Sequence, residues 1–304
     1  MAAPARRKRI VLYGDSITQC SFEPYGFGAA LANKFSRTCD VFNRGYGGYN
    51  SRWCARDDVL EHAFGESETH PGKIYLSTVM LGTNDALRMT KPDAEARNVV
   101  KVELDEYEAN MYKILKTAAE RSELVMAMTP PVVDAKQRRR CQVRLHGSSW
   151  VGGPFEDSRP NLTKYAAAVK RVVKRLDSEG FTWVYGCDIH GMTHAMQKDN
   201  MDTFSDGVHL SDEGLDAMAE NVTSMIEMFL SQKEQTWTPD SLLPDFPYGH
   251  EIRDPMKKGE APEKIFEDYD AFRAEKDAER DVAVAARLDG KVPVRKLFPT
   301  TGNA

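Results

Sequence analysis

The chain has 304 residues, 41% of them hydrophobic, and a formal net charge of −5. This length and apolar content are enough for one large domain, or a domain with an extension, that folds on its own. The negative charge argues against a general nucleic-acid binder, which needs a net basic surface.

The amino-terminal segment and the cysteines predict a reduced, cytoplasmic setting. Residues Met1 to Arg9 are basic, but too few apolar residues follow before Gly14 to form a signal-peptide core. No stretch is long enough to span a bilayer. The cysteines contain no C-x-x-C pair, so they suggest neither a zinc site nor a disulfide framework; they are Cys20, Cys39, Cys54, Cys141 and Cys187.

The first predicted unit is a strand, a tight turn and a helix. A short apolar run, Val11–Tyr13, breaks at Gly14-Asp15-Ser16, and Tyr25–Phe35 then places aromatic and aliphatic residues at helical spacing. We predict a buried strand that delivers Ser16 at its end. Gly, Asp and Ser are also ordinary turn and cap residues, so this motif depends on partners elsewhere in the chain.

Two more strands are predicted to end in polar loops. The strand Asp40–Asn43 leads into Arg44–Asn50, where three glycines let the backbone approach a ligand closely. A helix is expected over 52–61. The strand Ile74–Leu81 then stops at Gly82-Thr83-Asn84-Asp85, and its unbroken apolar run Val79–Leu81 indicates burial on both faces.

The middle of the chain continues the alternation of helices and strands. Helical patterns cover 105–119 and 161–176, and strands are predicted over 124–128 and 181–185. Residues 134–160 have no sustained period, and we expect a long loop or insertion there. The basic runs 6–9 and 138–140 are interpreted as a solvated terminus and loop, with a phosphate or partner patch as the alternative.

Asp206-Gly207-Val208-His209 precedes a long amphipathic helix for which Ser211 is a natural cap. Alternating strands and helices imply a parallel sheet covered on both faces, and such sheets bind ligands at the carboxyl ends of their strands. The predicted loops that hold Ser16, Gly48 and Asn84 all lie at that edge.

The composition changes after Ser231, where residues 232–262 are rich in proline and charge and residues 262–287 form a charged helical candidate. We therefore predict a main domain over 1–230, with an insertion at about 134–160, and a partly helical C-terminal extension over 231–304. The extension either packs on the domain or on a second subunit, as in a homodimer, or is a mobile appendage.

Acyl transfer needs a nucleophile, a base, a group that orients the base, and donors for the oxyanion. We assign these roles to Ser16, His209 and Asp206, because a carboxylate three residues before the histidine can hold its ring. The predicted oxyanion donors are the backbone N–H of Ser16, the backbone N–H of Gly48 and the side-chain amide of Asn84. Asp15 is expected to brace the turn through hydrogen bonds to neighbouring backbone.

Each feature also has a purely structural interpretation. Asp206–His209 could be a polar helix entry, Gly48 a turn and Asn84 a cap. His190 and His194 share helical spacing but lack an obvious third ligand, so a polar surface helix is favoured over a metal site.

Neither a dinucleotide-binding nor a phosphate-binding glycine motif occurs in the sequence. The G-x-S-x-G elbow of the larger esterase fold is also missing, because Thr18 stands where its second glycine would be.

Taken together, four blocks resemble the SGNH or GDSL hydrolase superfamily. They are Gly14–Ile17, Asn43–Gly48, Gly82–Asp85 and Asp206–His209. The resemblance covers roughly residues 9–230 and implies a flavodoxin-like three-layer α/β/α sandwich with a five-stranded parallel sheet. Within the superfamily, the segments around Ser16, Tyr25–Leu31 and Arg44–Trp53 are similar to the isoamyl acetate-hydrolysing esterases.

That similarity implies a serine hydrolase of short-chain, acetate-type esters that uses no cofactor, and the sequence offers no metal-binding motif. The expected partner is a small ester, with no nucleic acid and no membrane span. Carbohydrate deacetylation, thioesterase action and lysophospholipase action by the same site remain alternatives. A catalytically silent binding module is disfavoured because all four blocks are intact.

Overall fold

The carboxyl ends of the strands lie level across one sheet. The computed structural model describes residues 7–70, 72–86, 101–146, 159–230 and 242–289. Its five strands are all parallel, in the order β2-β1-β3-β4-β5. They are β1 (Lys8–Gly14), β2 (Cys39–Gly45), β3 (Leu76–Met80), β4 (Val125–Met128) and β5 (Val184–Cys187).

The register shows how the strand ends align. Gly14 at the end of β1 pairs with Gly45 of β2 and with Met80 of β3. Met128 of β4 pairs with Met80 on one side and with Cys187 of β5 on the other. The loops that follow β1, β2 and β3 are therefore neighbours at one edge, where ligands bind in sheets of this kind.

Alternate residues of β1 face two separate cores. Val11 and Tyr13 belong to one hydrophobic cluster, and Ile10 and Leu12 belong to the other, as expected when successive side chains point to opposite faces. Burial on both sides explains why residues Ile10–Tyr13 of β1 appear in the sequence as a continuous apolar run.

Helices cover both faces and complete a three-layer α/β/α sandwich, so the predicted fold class is confirmed. The helices are α1 (Ser16–Gln19), α2 (Phe27–Lys34), α3 (Ser51–Cys54), α4 (Asp57–Phe64), α5 (Leu104–Arg121), α6 (Ala135–His146), α7 (Arg159–Ser178), α8 (Ile189–Lys198), α9 (Asp212–Leu230), α10 (Gly249–Lys257) and α11 (Pro262–Leu288). Helices α4, α5 and α7 pack on one face, and α2, α9 and the end of α11 pack on the other.

Several predicted elements need correction. The fifth strand is Val184–Cys187, because residues 182–183 form a turn before it. The helix predicted over 52–61 is two helices, α3 and α4. The segment predicted as a loop from 134 begins with the helix α6, while the rest of the insertion, residues 147–158, lies outside the described residues.

The described part of the C-terminal tail packs back on the sheet-containing part of the chain. Arg280 of α11 forms a buried ion pair with Glu123, which lies two residues before β4. Asp245 accepts from Arg7 at 2.7 Å and from Arg37 at 3.3 Å. Among the helices the structure describes, none combines the length and apolarity needed to cross a membrane.

Candidate active site

Ser16 occupies the turn between β1 and α1. A Cβ at Gly14 would come within 2.2 Å of Thr18 Oγ1 and 2.5 Å of Met80 O, so only glycine allows this close approach. Asp15 caps α1, with its Oδ1 accepting a hydrogen bond from Ile17 N at 3.0 Å. Ser16 is the first residue of α1, and the first N–H groups of a helix have no acceptor within the helix.

His209 and Asp206 come to Ser16 from the loop that precedes α9. His209 Nε2 lies 3.0 Å from Ser16 Oγ, and His209 Nδ1 lies 3.0 Å from Asp206 Oδ2. The other oxygen, Asp206 Oδ1, accepts from the backbone N–H groups of Val208 and His209, each at 2.9 Å. The three predicted residues thus form one continuous hydrogen-bonded chain.

The carboxylate sets the charge state of the imidazole. The hydrogen bond and the negative charge of Asp206 raise the pKa of His209 above its usual value, and burial opposes this rise. Burial alone would raise the pKa of Asp206, but hydrogen bonds from the His209 ring and from backbone N–H groups outweigh it and lower that pKa. Asp206 is therefore ionised at neutral pH, as a group that stabilises an imidazolium must be.

The two other predicted donors follow the strands on either side of β1. Gly48, beyond β2, has a φ of +77°, a left-handed conformation that favours glycine. Asn84, beyond β3, donates from Nδ2 to Tyr49 O at 2.7 Å. An amide nitrogen carries two hydrogens, so this bond fixes the Asn84 side chain and leaves its second N–H for another acceptor.

Asp85 connects the loop after β3, which holds Asn84, with the segment after β2, which holds Gly48. The sequence did not predict this role. Its Oδ1 and Oδ2 accept from Ser51 N at 2.9 Å and 3.1 Å, respectively. Ser51 is the first residue of α3, and Asn50 caps this helix by accepting from Trp53 N at 3.0 Å. Burial raises the pKa of Asp85 to about 6. Asp15 is also fully buried, and its pKa is raised to about 7 by burial and further by the charge of Asp85, against the Ile17 N–H bond.

Arg138 is the residue that the interpretation of the 138–140 run missed. It lies on α6, and its Nη1 pairs with Asp206 Oδ2, the same oxygen that binds His209. Its side chain is only 19% exposed, whereas Arg139 and Arg140 are exposed. Basic composition alone could not reveal that one arginine of the three turns toward the site.

A cavity of about 250 Å³ opens beside His209. Its walls are mostly apolar, with a carboxylate and a hydroxyl among the lining residues, which are Ile17, Cys20, Glu23, Ser205, His209, Leu210 and Leu215. The cavity therefore has room for a small, largely apolar group in contact with the imidazole.

Across the described ranges, no cluster of three or more His, Cys, Asp or Glu side chains is arranged to hold a metal ion. His190 lies on α8, where Nδ1 is 3.2 Å from Pro130 O and Nε2 is 3.2 Å from Thr163 Oγ1. Both ring nitrogens of His190 thus have protein neighbours.

The family follows from comparison with known proteins. Residues 12–217 match the model of the GDSL-like lipase/acylhydrolase family. The chain belongs to this family. A GDSL esterase/lipase of Arabidopsis thaliana is 33% identical over 264 residues, covering 86% of this chain and 98% of that protein. The human isoamyl acetate-hydrolyzing esterase 1 homolog is 31% identical over 232 residues, covering 73% of this chain and 83% of that protein.

Solved structures support the same fold. An acetylxylan esterase from Geobacillus stearothermophilus superimposes with a TM-score of 0.51 at 19% identity, covering 74% of this chain and 96% of that chain. As a member of the GDSL family, this protein is a carboxylic ester hydrolase.

Proposed function

We propose that this GDSL-family esterase hydrolyses short-chain, acetate-type esters with Ser16 as nucleophile, His209 as general base and Asp206 as the group that orients the base. The observation that carries the proposal is the hydrogen-bonded chain from Ser16 Oγ through His209 to Asp206, with both contacts to the imidazole at 3.0 Å. Such a chain activates a hydroxyl that is a weak nucleophile on its own.

In the first half of the reaction, His209 Nε2 takes the proton of Ser16 as Oγ attacks the ester carbonyl. The oxyanion that forms is held by the N–H groups of Ser16 and Gly48 and by the amide of Asn84. His209 then gives its proton to the leaving alcohol oxygen, and an acyl-serine remains. In the second half, His209 activates a water molecule that releases the acid by the same route.

The cavity beside His209 supports a small alcohol portion. Because His209 protonates the leaving oxygen, the alcohol must lie against the imidazole, and this cavity has His209 in its wall. Its volume is about 250 Å³. A short aliphatic alcohol fits that space, and relatives named for isoamyl acetate hydrolysis favour the same class.

The decisive kinetic test compares wild type with Ser16→Ala on p-nitrophenyl acetate. We expect turnover to fall by about a thousandfold or more, because the acyl-enzyme cannot form. Ser178→Ala, at an exposed serine where α7 ends, is the matched control and should retain wild-type turnover. Equal rates for wild type and Ser16→Ala would refute the assigned nucleophile.

A substrate panel tests the finer proposal. Acetyl sugars, acyl-CoA and lysophospholipids are compared with acetate esters of alcohols of increasing length. We expect the highest kcat/KM for small acetate esters and a decline as the alcohol outgrows the cavity. Preference for an acetyl sugar, a thioester or a lysophospholipid would replace the proposed substrate and leave the assigned site intact.

We further propose a cytoplasmic location. All five cysteines are free thiols in the structure, which supports a reducing compartment.

A further inference from the structure

The Asp206 carboxylate makes four polar contacts, with three residues from two different parts of the fold. Oδ1 accepts from the backbone of Val208 and His209, both in the same loop. Oδ2 lies 3.0 Å from His209 Nδ1 and also accepts from Nη1 of Arg138 on α6. Among the described residues, Arg138 is the partner of the carboxylate that comes from outside the loop.

Helix α6 is fixed against this loop by backbone contacts, so the position of Arg138 is well defined. Asp134 N donates to Gly207 O at 2.8 Å, and Arg138 N donates to Asp134 O at 2.9 Å. Gly207 has a φ of +91°, and a Cβ there would lie 2.4 Å from Arg138 N. The glycine of the loop thus lets α6 approach closely enough for the guanidinium to reach Asp206.

We propose that Arg138 is a positioning residue of this active site, whose guanidinium anchors the Asp206 carboxylate and offsets part of its negative charge. The proposal rests on the function assigned above to Ser16, His209 and Asp206. Arg138 acts through Asp206, and it is assigned no contact with the substrate.

The charges around His209 give the direction of the effect. Asp206 faces the ring from its own loop, Arg138 from α6, and Asp15 from the turn before α1; Glu23 and Cys20 line the same cavity. The two aspartates raise the pKa of His209, and Arg138 lowers it. Removing Arg138 should therefore raise this pKa, so that the imidazole stays protonated, and inactive as a base, up to a higher pH.

The experiment compares Arg138→Gln and Arg138→Lys with Arg139→Gln and Arg140→Gln, which make the same change at exposed positions of α6. For Arg138→Gln we expect kcat to fall about tenfold with little change in KM, because orientation of the base is lost while binding is kept. The acidic limb of kcat/KM should move to higher pH by roughly 0.5–1 unit. In Arg138→Lys the acidic limb of kcat/KM should return most of the way to its wild-type pH. The two controls should match wild type in kcat and in the pH of this limb.

An NMR titration of the His209 ring, assigned with His209→Gln, measures the same pKa without any substrate. The expected rise in Arg138→Gln must appear there whether or not acetate esters are substrates, so failure of the proposed function and failure of this inference are distinguishable. A wild-type His209 pKa in Arg138→Gln would overturn the inference, as would equal losses of kcat in Arg138→Gln and Arg140→Gln. Thermal unfolding of each variant shows whether a loss of kcat reflects a loss of folding.

Discussion

At the scale of single residues, Asn84 shows how a donor is prepared before the substrate arrives. Its bond to Tyr49 O fixes the side-chain amide at the strand edge while one N–H remains to be used. A fixed donor needs no reorganisation as negative charge develops, which is why such groups contribute strongly to catalysis.

Replacing Asn84 by alanine is therefore expected to lower kcat by about a hundredfold or more, with little change in the folding transition. The bond that is lost is solvent-exposed, so folding depends little on it. Asn33→Ala, at an exposed position of α2, is the control. Unfolding of Asn84→Ala, or unchanged kcat in a folded variant, would favour the purely structural role of a cap.

At the scale of elements, the turn from β1 to α1 holds a fully buried carboxyl group. Burial raises the pKa of Asp15 to about 7, well above its value of about 3.9 in an unfolded chain. The folded protein therefore binds this proton more tightly than the unfolded chain does. The contribution of the protonated Asp15 to the free energy of unfolding is fully present below about pH 4 and is lost as the pH rises through about 7.

Asp15→Asn removes this ionisation and keeps a cap that can accept from Ile17 N. The free energy of unfolding of the variant minus that of wild type should therefore increase between about pH 5 and about pH 8, by on the order of 2 kcal/mol. Urea unfolding at both pH values measures the difference, and Asp216→Asn on an exposed face of α9 controls for the loss of one carboxylate. An identical pH dependence in wild type and Asp15→Asn would contradict this account.

The sequence predicted the elements that follow the hydrophobic pattern and missed those that do not. The strands β1, β3 and β4 were visible because almost all of their residues are buried, whereas β2, at the edge of the sheet, is half-buried and was recognised from only a short run, Asp40–Asn43. Helix α6 was missed because the face that it turns inward is partly polar: Gln142 is buried, and Arg138 pairs with Asp206. The fifth strand was placed too early because Phe181 and Trp183, which pack edge to face, look like strand residues.

The candidate site was predicted for a different reason. Ser16, Gly48 and Asn84 belong to short blocks that follow strands, and parallel topology brings such blocks to one edge. His209 comes to the same edge from the loop between α8 and α9. Arg138 and Asp85 act through contacts between distant segments. Composition and spacing carry no signal for these contacts.

At the scale of the whole molecule, a buried ion pair joins α11 to the segment just before β4. The side chains of Arg280 and Glu123 are 3% and 2% exposed, and Arg280 Nη1 lies 3.2 Å from Glu123 Oε1. The partners are 157 residues apart in the chain. The boundary of the domain near residue 230 and a homodimer formed through the extension stay predictions.

Arg280→Met should lower the free energy of unfolding by about 3 kcal/mol, because it leaves a buried carboxylate without its guanidinium. Adding Glu123→Gln should recover part of that loss, since the buried charge is then removed as well. Lys276→Met, which breaks an exposed pair on the same helix, should have little effect. Equal stability of Arg280→Met and wild type in urea unfolding would show that the tail contributes nothing through this contact.

The central claim is that Ser16 is a nucleophile activated by His209. Its most direct test is covalent labelling with a fluorophosphonate, followed by mapping of the modified peptide by mass spectrometry. We predict an adduct on Ser16 that is absent from Ser16→Ala, and a labelling rate that falls by about a hundredfold or more in His209→Ala. A folded wild-type protein that is not labelled, or that is labelled at another residue, would contradict the account.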